Sequence, residues 1–106
     1  MEEIARWDSP TFTEAFILWT GYGQHFMPRR GDGLVVARFG AEAASKLLPA
    51  MTSLIDEFYA SDAKYTTPAG SAEMGVKAMD EFKAKHPEVA EGVLKAAAWC
   101  YTFDYK

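Results

Sequence analysis

Leu47, Leu48, Met51, Leu54, Ile55, Phe58 and Tyr59 recur at the i, i+3, i+4, i+7 spacing of one helical face, with Thr52, Ser53, Asp56 and Glu57 opposite. The stripe predicts an amphipathic helix of three turns, which other apolar faces of the chain must cover. Pro49 constrains where that helix starts, because its ring clashes with a preceding carbonyl in a helix interior. It belongs either to the first turn or to a longer helix that begins near Ala41 and is disturbed at the proline.

Three further segments carry helical signals. Ser9-Pro10-Thr11-Phe12-Thr13-Glu14 offers two overlapping starts: Ser9 as cap with Pro10 at the first helical position, or Thr11 as cap with Glu14 completing a capping box. Phe12, Phe16 and Trp19 mark one face of the helix that follows, and Gly21-Tyr22-Gly23 ends it. From Ser71 to His86, the residues Gly75, Ala78, Met79 and Phe82 share a face whose small members call for a close neighbour, while Glu73 with Lys77 and Glu81 with Lys85 are spaced as outer i, i+4 pairs. Pro87, with Glu88 and Glu91 suited to the positive end of a helix dipole, opens a last helix along Val89, Val93, Ala96, Ala97 and Cys100.

Two segments resist this reading. Leu34 to Phe39 is rich in β-branched and aromatic residues and fits either a strand or a helix. Trp99, Tyr101, Phe103 and Tyr105 alternate with Cys100, Thr102 and Asp104, a period of two that would put four rings on one face of a strand. A helix that ends near Tyr101, with the remaining aromatics folded over the core, accounts for them equally well. The expected fold is a single all-α domain over 1–106, a small four-helix orthogonal or bundle-like arrangement with helices near 10–21, 41–60, 71–86 and 87–101 and a long glycine-rich loop after the first. The alternative is α+β, with a minimal two-stranded sheet from 34–39 and 99–105.

With 49% hydrophobic and 14% aromatic residues, a chain of 106 can bury a core without disulfide or metal support. The single cysteine, Cys100, reads as a small buried hydrophobe between Trp99 and Tyr101 and points to a reducing compartment. The acidic start Met1-Glu2-Glu3-Ile4 is unlike a signal peptide, and no apolar run approaches the ~20 residues of a membrane span, so a cytoplasmic location without membrane association is expected. A net charge of −4 gives no global support for nucleic-acid binding and favours a basic partner. Binding to nucleic acid would need Arg29, Arg30 and Arg38 to form one basic face with Lys46.

The loop 22–32 concentrates the residue types that sites use. Tyr22, His25, Arg29 and Arg30 are the candidate ligand-binding residues: the arginines could fork onto a phosphate or carboxylate, and His25 could shuttle a proton. The bland account of the same residues is two exposed arginines beside a turn, with Phe26 and the other aromatics folded back onto the core. Gly21-x-Gly23 and Gly31-x-Gly33 are not a dinucleotide fingerprint, there is no Walker lysine, and Arg30-Gly31-Asp32 is too short a motif to carry adhesion chemistry.

His25 and His86 form no metal-ligand spacing with each other or with Cys100, so neither a metal nor a cofactor is expected. His86, before Pro87, is placed to meet the last carbonyls of the preceding helix. Asp56, Glu57, Asp80 and Glu81 lie on predicted polar faces, where they suit electrostatic steering of a basic protein better than acid–base catalysis. No catalytic residue is assigned, since the serines sit at caps or on polar faces and no G-x-S-x-G elbow occurs. By exclusion, the expectation is a small acidic protein-binding module without enzymatic activity, such as an inhibitor or a toxin-neutralising immunity protein, with Trp or Tyr anchors. The rival is a small-molecule or phosphate-ester site, binding or catalytic, on the 22–32 loop.

Overall fold

A computed structural model describes residues 2–25 and 27–105, with only the backbone described at residues 2 and 3. Phe26, expected to fold back onto the core, lies outside the described residues. The elements are a 3-10 turn at Glu2–Ala5, then α1 (Pro10–Thr20), α2 (Asp32–Phe39), α3 (Ala41–Tyr59), a single turn α4 (Ala63–Thr66), α5 (Ala72–Lys85) and α6 (Glu91–Asp104). The architecture is all-α, with no strand among the described residues.

Of the two candidate starts of α1, Ser9 is the one used. Its backbone is extended, its Oγ accepts from the Phe12 N–H at 2.9 Å, and Pro10 takes the first helical position. Glu14, free of a capping box, pairs instead with Arg38 of α2. The helix buries Phe12, Ala15, Phe16, Trp19 and Thr20 and stops at Gly21, where φ is 80°, a conformation glycine adopts without strain. The Gly21, Arg29 and Gly31 amides then satisfy the last carbonyls of α1: Ile17 O at 2.9 Å, Thr20 O at 3.0 Å and Trp19 O at 2.8 Å.

The 34–39 segment is helical and belongs to α2, a helix absent from the four expected. The alternative sheet is thereby overturned, since 99–104, within the other proposed strand, is also helix. Composition left 34–39 open between strand and helix because α2 buries only Val35, leaving Leu34 and Val36 exposed, so its apolar content does not report a buried face. Gly40, at φ 92° and ψ 157°, turns the chain directly from α2 into α3.

α3 is the longer helix that begins at Ala41, with Pro49 inside it and on the exposed side. Its stripe of Leu47, Met51, Leu54, Ile55 and Phe58 is buried. α5 is capped by Ser71, whose Oγ accepts from Met74 N–H at 3.1 Å. Gly75 is the close approach to α6: a Cβ there would stand 3.0 Å from Thr102 Cγ2 and 3.8 Å from Ala98 Cβ. The outer pairs Glu73–Lys77 and Glu81–Lys85 do not form, because Lys77 donates to Thr66 Oγ1 and Glu81 accepts from Ser61 Oγ at 2.6 Å.

α6 departs from expectation at both ends. It begins at Glu91 rather than Pro87, because the chain uses Pro87 and Glu88 as a turn that closes with Val89 N–H on His86 O and buries Val89 in the core. It also runs on to Asp104, past Tyr101. Val93, Ala96, Ala97 and Cys100 face inward with Tyr101, the largest of the fully buried side chains.

Candidate functional site

The loop after α1 winds tightly around Gly21, whose carbonyl accepts from both Gln24 and His25 N–H at 3.0 Å. This brings the His25 imidazole over the Gly21 backbone and sets Arg29 beside it, with Arg29 Nη1 3.0 Å from His25 Nε2. His25 and Arg29 line a concavity of about 330 Å³ with Met27 and Pro28. His25 also closes one end of a second groove, about 310 Å³, floored by Ile17, Leu18 and Leu34 and ending at the Glu14–Arg38 pair.

The other two candidates on this loop go elsewhere. The Tyr22 ring packs edge-on against Trp99 of α6, centroids 5.6 Å apart. Arg30 stays exposed but lays its guanidinium 5.0 Å over the Trp19 ring, with its Nη1 3.7 Å from Cys100 Sγ. Asp32 accepts from Trp19 Nε1 at 2.7 Å and fixes the same indole from its edge. The structure thus pairs His25 with Arg29 and separates both from Tyr22 and Arg30. Arg38 is held by Glu14, so the basic face considered for nucleic acid is divided as well.

Cys100 is fully buried, as its aromatic neighbours indicated, and burial pushes its thiol up to about 11 even though the Arg30 guanidinium acts in the opposite sense. A thiol so far from ionisation at neutral pH is not a nucleophile. Beside it, burial and the hydrogen bond from Tyr59 to Asp104 push the Tyr59 phenol far above its ordinary value.

The four acidic candidates also divide. Asp56 and Asp80 are exposed and make no ion pair among the described residues. Glu57 pairs with His86 Nε2, and Glu81 holds Ser61. The His86 imidazole therefore meets a carboxylate of α3 rather than the carbonyls at the end of α5, while the His86 backbone N–H caps Phe82 O at 2.9 Å. Its ring is packed between Trp7 and Phe82, at centroid distances of 5.0 and 4.7 Å.

One surface was not picked out from the sequence. Between α5 and α6 an open groove of about 280 Å³ is lined by Tyr22, Gly75, Val76, Met79, Ala98 and Trp99, with Lys95 at its edge. Val76, on its α5 side, is 55% exposed. The available signal was Val76 itself, an apolar residue off the inner stripe of its helix. Glu73 and Asp80 lie one turn to either side of Val76 on α5, outside the lining of the groove, whose charged residue is Lys95.

Among the described residues no group of three or more His, Cys, Asp or Glu side chains is placed to hold a metal ion, and no helix is long and apolar enough to cross a membrane. Compared with protein-family models, characterised proteins and solved structures, the chain finds no match.

Proposed function

We propose that this chain is a small acidic protein-binding module, of the inhibitor or immunity-protein kind, whose partner docks on the α5–α6 groove. The observation that carries this reading is the groove's make-up: exposed Val76 with half-buried Met79, Tyr22 and Trp99, while Glu73 and Asp80 follow on α5 one turn to either side of Val76. Apolar and aromatic centres inside a polar rim are the anatomy of protein interfaces, and aromatic side chains are their commonest anchors. With a net charge of −4, complementary charge on the partner is basic.

The test begins with affinity capture from the native host and continues with binding kinetics on the purified partner. Val76→Asp places a charge on the exposed apolar surface of the groove and is expected to weaken binding at least about tenfold, the scale of a modest hot spot. Asp80→Lys is expected to slow association at low salt, with the difference fading as salt rises. A partner that binds both variants with wild-type rates, while both stay folded, refutes the reading.

A further inference from the structure

We propose that the two concavities that meet at His25 bind an amphipathic organic carboxylate, its head on Arg29 and His25 beside Met27 and Pro28 and its hydrocarbon body in the α1–α2 groove along Ile17, Leu18 and Leu34. The site is independent of the α5–α6 face.

Arg6 pairs with Asp8, Arg38 pairs with Glu14, and Arg30 lies on Trp19 and Cys100. Arg29 meets no carboxylate among the described residues; its Nη1 donates to His25 Nε2, a bond that requires the lone pair of an imidazole unprotonated at that atom. A guanidinium facing a neutral acceptor keeps its whole charge and most of its donors for an anion.

The pair is also positioned. Both side chains lean on Gly21, where a Cβ would stand 2.7 Å from His25 Cδ2 and 3.3 Å from Arg29 Cγ and Cδ. Nor is Arg29 merely answering the negative end of α1, because loop amides already bond Ile17 O, Trp19 O and Thr20 O.

Beside this head site runs the apolar floor. Leu34 is 37% exposed, Ile17 and Leu18 are half-buried, and the groove's volume of about 310 Å³ is at the small end of the range of ligand sites. At its far end Glu14 is neutralised by Arg38 and does not repel an anion. One guanidinium balances a single negative charge, which favours a carboxylate over a phosphate monoester.

An NMR titration of the full chain with octanoate tests this, with 1-octanol, acetate and octyl phosphate as comparators. Octanoate is expected to shift the amides of Gly21, His25 and Arg29 and the methyls of Ile17, Leu18 and Leu34. Acetate is expected to shift none of them, and octanol to bind more weakly. Arg29→Gln, which keeps the backbone amide on Thr20, is expected to weaken octanoate about tenfold, the loss of a charge-assisted hydrogen bond. Leu34→Asp is expected to abolish binding through the body. Equal binding of octanoate and octanol, an unchanged affinity in Arg29→Gln, or shifts gathered at Val76 and Trp99 overturns the site. Tighter binding of octyl phosphate overturns the carboxylate assignment.

Discussion

Tyr101→Phe removes one oxygen from the middle of the molecule, and the structure lets its cost be worked out. The Tyr101 hydroxyl donates to Ser61 O at 2.8 Å and accepts from the Lys64 N–H at 3.0 Å, so one group ties α6 to the joint between α3 and α4. The ring stays in place in the variant, still against Phe58, Tyr59 and Tyr105 at centroid distances of 5.9, 5.5 and 4.9 Å, so no cavity larger than the oxygen forms. The two lost bonds are unequal. Ser61 O keeps Lys64 Nζ at 2.9 Å, and losing the phenol there costs the net value of one hydrogen bond, about 1 kcal/mol. Lys64 N–H, in the first turn of α4, has no second acceptor, and a half-buried donor left unpaired costs about 1–2 kcal/mol. The sum is about 2–3 kcal/mol, or roughly 10 °C in Tm for a domain of this size. Thermal and urea unfolding followed by circular dichroism measure it, with an unchanged urea m-value as the sign that both states keep their surface. Tyr65→Phe is the control, since that ring is 77% exposed and its change is expected within about 0.5 kcal/mol. A Tyr101→Phe variant as stable as wild type would show that water replaces the hydroxyl and that Tyr101 does not fasten this joint.

Gly21→Ala forces a Cβ into the left-handed region and within 2.7 Å of the His25 ring, and is expected to cost about 1–2 kcal/mol in urea unfolding and to displace the imidazole from Arg29. Cys100 gives an alkaline signature: its thiol rises from an ordinary 9.0 to about 11 in the folded chain, so the unfolded chain loses this proton first as pH increases. The stabilisation is complete below pH 9 and is lost between about 9 and 11; Cys100→Ala should flatten that part of the stability profile, and a profile identical to wild type would refute the burial argument.

What could be read from the chain followed from how much each segment buries. The α3 stripe, the start of α1 within 9–14 and the small face of α5 were readable because their signals and their burial coincide. Leu34 to Phe39 was not, since α2 presents Leu34 and Val36 outward and its β-branched residues carry no period. The start of α6 failed for another reason. Pro87 is compatible with a first helical turn, but the local preference yields to burying Val89, which needs a tight turn after His86. At the candidate loop, composition gathered four residues without their directions. Tyr22, His25, Arg29 and Arg30 lie within nine positions, yet the hydrogen bonds of residues 29 and 31 back to α1 aim Arg29 at His25 and Arg30 at Trp19. No periodicity encodes that divergence.

The terminal aromatics show how one pattern can serve two purposes at once. On a helix, a step of two residues turns the side chain by about 200°, so Trp99, Tyr101 and Phe103 fall on alternating sides, while 99 with 103 and 101 with 105 stack one turn apart. Tyr101 and Tyr105 pack against each other at 4.9 Å and against Tyr59, closing the core over the α3–α4 joint. Trp99 takes the opposite side, meets Tyr22 and lines the α5–α6 groove. The period of two that suggests a strand therefore comes from a helix with different neighbours on its two sides. Its inner rings hold the fold while Trp99 remains available at the surface proposed for docking, so stability and binding are separable along a single helix.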